Sequence, residues 1–282
     1  MRQLIHYRIP WKPGGHIPGG KRGTSAGAGD QLRALVMLRD HPDPRRLDLR
    51  ASLRDPFGRL WVRDFYLNTA IKVIVLIDIS ASMAYAGLTE RMQVVRDITE
   101  QLAISAYRSG DAFGVFCANR DVLKSGVLPP GVNRSSWLWV RRRLDAQLPA
   151  GDGVDGLLRV APQLPQRRSL VFVVSDFRWP EGKLEKLLRT LAHHDVVPVL
   201  LQDPAEMTAL PRRGFAALRD METGRMRFVW MRPALRRKIQ SARADHVRSI
   251  ERASRRFGYR PLIVNGQFDP GRMNQYFLER GA

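Results

Sequence analysis

Cysteine is almost absent from this chain of 282 residues: Cys117 stands alone. A lone thiol forms no intramolecular disulfide, and its place in the apolar run 113–118 reads as ordinary buried packing. Long apolar stretches are missing as well. The longest, around residues 73–77 and 196–201, have strand length, far short of the roughly 18 unbroken apolar residues of a membrane span. The start, MRQLIHYRIPWKPGG, has basic residues but no apolar core followed by a small-residue cleavage site. No leader is read there, and cytoplasm is the expected compartment. Acidic residues are few: 27 against 47 Lys and Arg, a formal charge of +20. Such a surface attracts polyanions and acidic protein faces without saying which. Arginine dominance also accompanies GC-rich genomes, so charge alone makes no case for nucleic acid as the main partner.

Signatures of catalysis are also missing. There is no Gly-x-Ser-x-Gly elbow and no His-Glu-x-x-His. GGKRGT at residues 19–24 sets a lysine among glycines but lacks the Gly-x-x-x-x-Gly-Lys-Ser/Thr order and a preceding strand. A haloacid-dehalogenase-type phosphatase needs Asp-x-Asp at a strand end, and Ser80 holds the second place after Asp78. His193-His194-Asp195 is the densest group of transition-metal ligands, yet neighbours on a helix point to different faces, so it reads as a polar helix exit. His6, His16, His41 and His246 are scattered. Trp137 and Trp139 before Arg141-Arg142-Arg143 suggest an aromatic-basic surface, but helix packing explains them more simply. The chain is therefore read as a binding module, not an enzyme.

What is present is a strand–helix alternation. Apolar residues make up 44% of the chain, ordinary for a folded protein. Residues 1–45 read as a Gly/Pro/Arg-rich loop, and residues 47–68 as two or three short strands around the turn Asp55-Pro56-Phe57-Gly58. Strands follow at 73–77, 112–117, 170–174 and 196–201. Helices are expected at 88–107 (Thr89 as N-cap; Met92, Val95, Ile98, Leu102 and Ile104 inward), 135–148, 155–161 and 181–193. The fold class is α/β: a doubly wound, mostly parallel sheet with helices on both faces. Residues 1–69 form a β-rich N-terminal extension, and residues 70–282 the main domain. A helix over 233–257 shows an approximate apolar face of Leu235, Ile239, Ala242, His246, Ile250, Ala253 and Phe257. Residues 231–260 hold ten basic and two acidic side chains, a positive ridge or simply a solvated face. A strand at 261–264 and a short helix close the chain.

Chemistry is concentrated in Asp78-Ile79-Ser80-Ala81-Ser82-Met83, directly after the first buried strand. Ligands of open parallel sheets gather beyond the carboxyl ends of the strands. One carboxylate and two hydroxyls are hard oxygen donors suited to Mg²⁺ or Mn²⁺, with water completing an octahedron. A second strand ends Ser175-Asp176, bringing Asp176 to the same crevice if the two strands are neighbours. The bland alternative is that Asp and Ser close a turn or cap the next helix.

Asp78-x-Ser80-x-Ser82-Met83 together with Asp176 resembles the metal-ion-dependent adhesion site of von Willebrand factor A domains. The likeness extends to a bacterial subgroup of unknown biochemical function, often encoded beside MoxR-type AAA+ ATPases. RDHPDPRRLDL at 39–49, VLLQDPAEMTALPRRG at 199–214 and Asp220-x-Glu222-Thr223-Gly224 carry it, from about residue 19 to the C-terminus. YRIPWKPGG and RRLDLRASLRDPFG resemble the branch found in methanol-oxidation gene clusters. The resemblance implies direct metal binding by the Ser80 and Ser82 hydroxyls, with Asp78 partly and Asp176 chiefly acting through water. The family's third loop supplies a threonine. Here Gly151-Asp152-Gly153-Val154-Asp155 places Val154 in that register, and valine cannot coordinate. Asp152 or Asp155 could substitute, at the cost of a less electrophilic ion. The implied partners are a MoxR-like AAA+ ATPase, an acidic protein surface and a client protein, with ATP hydrolysis left to the ATPase. Two other functions stay open: a polyanion binder, recognised by steep salt dependence, and a metal-dependent hydrolase, recognised by turnover lost with Asp78.

Overall fold

The computed structural model describes residues 4–14, 18–146, 149–151, 153–208, 210–219 and 225–280. The chain divides into two compact units: residues 10–71 with 109–111, and residues 1–9, 72–108 and 112–282. The domain boundary thus falls two residues after the one read at 69/70, and the first nine residues belong to the larger unit. There the amide of Ile5 donates to Ser105 Oγ at 2.9 Å, and the Tyr7 ring lies edge-on to Phe277 at 6.4 Å.

The smaller unit is an antiparallel pair, β1 (Pro18–Met37) with β2 (Trp61–Thr69). The glycine-rich segment expected to be a loop is therefore a strand. Its pairing shifts register repeatedly, which breaks the alternation by which strands are recognised. Its glycines permit close backbone approach: a Cβ on Gly29 would lie 1.9 Å from the Tyr66 carbonyl oxygen, and one on Gly19 2.3 Å from Ala70. In place of a further strand there is a short helix, α1 (Leu49–Leu53), whose N-terminus is capped by Asp48 accepting from the Ala51 amide at 3.0 Å. The turn at 55–58 forms as expected. Asp55 Oδ1 accepts from the Phe57 amide, and Gly58 takes a left-handed φ of 66°.

The larger unit is built on β3 (Lys72–Asp78), β4 (Ala112–Ala118), β5 (Val122–Gly131), β6 (Leu170–Ser175), β7 (Asp195–Gln202) and β10 (Leu262–Asn265), in the order β10-β7-β6-β3-β4-β5. All neighbours run parallel except β5, which returns antiparallel to β4. The α/β class and the mostly parallel, doubly wound sheet are those read from the sequence. Counted in their own chain order, the six strands run 3-2-1-4-5-6. Their order reverses between β3 and β6, the switch point beyond which ligands of such sheets bind.

Helices cover both faces. They are α2 (Arg91–Arg108), α3 (Ser136–Asp145), α4 (Asp155–Val160), α5 (Lys183–Thr190), α7 (Pro233–Arg255) and α8 (Pro270–Arg280). Ile74, Leu76, Val171 and Val173 pack with Leu157, Leu187, Leu188 and Ile250 of α4, α5 and α7. Alternate residues of β3 point the other way. On that face Phe172, in register with Val75, meets Phe277 of α8. Completely shielded strands such as β6 carry no polar alternation, which is why they read as continuous apolar runs. Cys117 is buried as expected, and burial pushes its thiol up to about 12.

Several boundaries differ from expectation. Helix α2 starts at Arg91, which puts Thr89 one residue before the N-cap position; its amide donates to Asp203 Oδ2 at 3.2 Å. The inward residues of α2 include Val94, Val95, Ile98, Leu102 and Ala106, while Met92 and Ile104 are only half-buried. Trp137 and Trp139 are half-buried on α3, and residues 147–148 of the helix expected there lie outside the described residues. Along α7 only Ile250, Ala253 and Ser254 are buried, and Ala242 is exposed. Unforeseen were β5, the four-residue α6 (Ala205–Thr208) and the hairpin of β8 (Gly214–Arg219) with β9 (Met226–Met231). The segment Asp220–Gly224 between β8 and β9 lies outside the described residues. Among the described residues no helix is long and apolar enough to cross a membrane.

His194 follows α5 and is fully buried, its Nδ1 accepting from the Ser169 amide at 3.3 Å. Burial first, then His193, lowers its pKa from 6.5 to about 4. As pH falls below 6.5 the unfolded chain takes up this proton before the folded one does, so stability is lost between pH 6.5 and 4. The melting temperature should therefore fall more steeply from pH 7 to pH 5 in the wild type than in His194→Asn. Equal slopes would remove His194 from the acid response.

Candidate metal crevice

Asp78 ends β3 and Ser175 ends β6, so the parallel pairing of Ile77 with Val174 brings both strand ends to one place. Asp78 is fully buried. Its Oδ1 accepts from the Ser80 amide at 2.8 Å, and its Oδ2 from Ser175 Oγ at 2.6 Å and Trp179 Nε1 at 2.8 Å. Burial raises the pKa of this carboxyl, and the three hydrogen bonds only oppose the shift. All three donors are neutral groups.

The turn-and-cap alternative is only partly met. Asp78 does close a turn onto the Ser80 amide, and Ser80 precedes a single 3₁₀ turn, Ala81–Ala84, but its hydroxyl makes no capping bond. Instead Ser80 Oγ and Ser82 Oγ lie 3.2 Å apart, and Ser82 Oγ donates to Asp176 Oδ1, also at 3.2 Å. The structure thus brings Asp78, Ser80, Ser82 and Asp176 together, all buried. The third loop is tied in by its backbone: Ala81 donates to the Gly151 carbonyl at 2.9 Å, and Ala150 to that of Ile79 at 3.1 Å. Val154 is buried and precedes α4. Asp155 is not directed into the crevice. It is half-exposed and ion-paired with Lys183, which holds its carboxyl below the usual range. Asp152 lies outside the described residues.

Five further side chains complete the crevice, and no local sequence motif marks them. Arg91, at the start of α2, is almost fully buried. Its Nη1 donates to the Ser82 carbonyl and to Asp176 Oδ2, each at 2.7 Å, while Nη2 donates to Glu206 on α6. Arg178 Nη2 donates to the other Glu206 oxygen at 2.6 Å, and the His246 ring Nε2 lies 2.9 Å from the Asp176 carbonyl. Trp179 is the fifth, through its bond to Asp78. Phe177, between these anchors, holds a positive φ of 51°, a conformation that costs a non-glycine residue about 1–3 kcal/mol and persists where its surroundings dictate it. Glu206 lies in the run 199–214, Arg91 in the helix read at 88–107 and His246 in the one read at 233–257, but none carries a mark of the site in the sequence.

The donor set can be tested against an ion. Mg²⁺ takes oxygens at about 2.1 Å in an octahedron, so adjacent ligands stand about 3 Å apart. The two 3.2 Å separations through Ser82 Oγ match such edges. Asp78 is buried against neutral donors alone, and burial disfavours its charged form, which a cation at the site would favour. Among the described residues no three His, Cys, Asp or Glu side chains form a metal group, so an ion here would rest on hydroxyls and water as much as on carboxylates. Asp78, Ser80, Ser82 and Asp176 are donors of the kind Mg²⁺ would take, and Val154 would supply none.

Removing one member of a buried charge network strands the others, typically at about 3–5 kcal/mol. Arg91→Met leaves Asp176 without its guanidinium and should cost about that much in urea unfolding. Unchanged stability would mean that the network does not hold the crevice together.

Residues 42–249 match the family described as "Protein of unknown function DUF58". An uncharacterized protein of Mycobacterium tuberculosis strain H37Rv, Rv1480, is 25% identical over 266 residues, covering 93% of this chain and 82% of its own length. A Paracoccus denitrificans protein described as an uncharacterized protein in the moxR 3′ region is 34% identical over 105 residues, 37% of this chain and 100% of its own. Among solved structures, BatB from Bacteroides thetaiotaomicron aligns with a TM-score of 0.48 at 15% identity, covering 75% of this chain and 97% of that one. With its family match spanning most of its length, this chain belongs to the DUF58 family.

Proposed function

We propose that this chain is a non-enzymatic, metal-dependent protein-binding module that serves as adaptor to a MoxR-like AAA+ ATPase in the assembly or activation of a client protein. The observation that carries the reading is the convergence of Asp78, Ser80, Ser82 and Asp176 at the switch point, with oxygen spacings suited to an octahedral ion. Asp78, Ser80, Ser82 and Asp176 would hold Mg²⁺ or Mn²⁺, directly or through water. The ion supplies an electrophilic seat for an Asp or Glu carboxylate of the partner. The net charge of +20 steers an acidic surface toward that seat. The place of the Paracoccus relative in the moxR 3′ region supports the choice of ATPase. ATP hydrolysis belongs to that ATPase. The finer resemblance, to the MxaS protein of methanol-oxidation gene clusters, makes methanol dehydrogenase the client to test first.

The decisive measurement is calorimetric titration of the metal-stripped protein with Mg²⁺ at near-physiological salt. One saturable site is expected, lost in Asp78→Ala and weakened in Ser82→Ala, while Val154→Thr, which supplies the missing hydroxyl, tightens binding several-fold. Metal binding unchanged in both Asp78→Ala and Ser82→Ala would sink the assignment. Nucleic-acid binding that persists in Asp78→Ala would move the function to the basic surface.

A further inference from the structure

Beside the metal-type donors lies a second receptor of a different kind. Glu206 presents both carboxylate oxygens to guanidinium groups, Oε1 to Arg91 Nη2 and Oε2 to Arg178 Nη2. A carboxylate bridged by two guanidinium groups is among the strongest polar contacts available to a protein. The receptor half is fixed. Arg91 projects from the 18-residue α2, is also bonded to the Ser82 carbonyl and Asp176, and lies over the Tyr85 ring at 4.9 Å. The ligand half is anchored through its main chain. Glu206 sits on α6, a helix of four residues; its amide donates to the Asp203 carbonyl at 3.2 Å, and the Asp203 carboxylate accepts from the Ala205 amide at 2.7 Å and the Thr89 amide at 3.2 Å. Its carboxylate can therefore rotate out while the backbone stays pinned.

Charge favours exchange. Arg91 and Arg178 face Asp176 and Glu206, two cations against two anions. Departure of Glu206 leaves one positive charge in excess, and an incoming carboxylate restores the balance. Arg178 is half-exposed, with 53% of its side chain accessible, so it is reachable from solvent, whereas Arg91 is only 5% accessible. Arg91 Nε is also buried without a hydrogen-bond partner, leaving a donor unused in the present arrangement.

We propose that Arg91 and Arg178 form a carboxylate-binding site, filled by Glu206 in the isolated chain, and that an Asp or Glu side chain of the partner protein displaces it. The inference rests on the reading of the crevice as a carboxylate-capturing site, and adds that capture runs through arginines as well as through a metal. Glu206 acts as an internal competitor. A free carboxylate meets an occupied site, so its apparent affinity falls by the fraction of time the arginines stand open. Only a partner contributing further contacts overcomes that competition.

The test uses the full chain in EDTA, so that its outcome is independent of metal binding. Blocked glutamate (N-acetyl-glutamate amide) is titrated against isotopically labelled protein, following the arginine Nε–H and Trp179 Nε1–H resonances, with blocked glutamine as the neutral control. Glu206→Gln, nearly isosteric, should bind blocked glutamate about tenfold or more tightly than wild type. Adding the half-exposed Arg178→Gln should return the affinity to the wild-type level. Equal affinities of wild type and Glu206→Gln, or a gain that survives Arg178→Gln, would overturn the proposal. Success here beside a failed Mg²⁺ titration would leave the arginine site standing and remove the metal from the reading.

Discussion

The burial of Asp78 and Asp176 at the carboxyl ends of adjacent parallel strands is the constraint around which the rest of the larger unit is organised. Neither carboxylate keeps contact with water, and a desolvated anion is tolerated only when hydrogen-bonded or paired. The two are served differently. Asp78 is bonded by neutral donors alone, from Ser80, Ser175 and Trp179. Asp176 is matched with a buried guanidinium from α2. The asymmetry sets a carboxyl held by neutral groups on one side against an arginine pair on the other.

Several elements contribute to this crevice. The loop after β3 supplies Ser80 and Ser82, the loop after β6 supplies Asp176, Arg178 and Trp179, α2 supplies Arg91, and α6 after β7 supplies Glu206. Residues 149–151 add no described side-chain donor but brace the first loop by main-chain bonds. Phe177 is held at positive φ because its neighbours on both sides are anchored, Asp176 to Ser82 and Arg91, Arg178 to Glu206. A closed network of this sort is rigid where fully satisfied. Glu206 is the member shared between a buried and a half-exposed arginine.

Away from the crevice, departures from the sequence reading share a cause. The strand β1 carries glycines where the partner backbone comes close, and its pairing slips repeatedly, so neither composition nor alternation marked it. The hairpin β8–β9 exposes Phe215, Phe228 and Trp230, reversing the rule that large apolar residues turn inward. On α7 the apparent apolar face is buried only near its C-terminal end. Hydrophobic periodicity reports burial against a core, and all three elements lie largely outside one.

The sequence by itself determined the α/β class, the parallel strands of the central sheet and the Asp78–Ser82 loop as the place where oxygen donors gather. The strands depend on local signals, since fully shielded strands need unbroken apolar runs; the loop stands out only together with Asp176. It also named Asp176 as the partner of that loop, because a parallel sheet makes neighbouring strand ends meet. Only the tertiary structure decided that Asp155 turns to Lys183, that Arg91 neutralises Asp176, and that Glu206 bridges Arg91 and Arg178. Asp176 and Glu206 lie 85 and 115 positions from Arg91 along the chain. A charged residue carries no mark of whether it faces water or another charge. That choice is made when the core closes, since only then does desolvation make an unpaired charge costly.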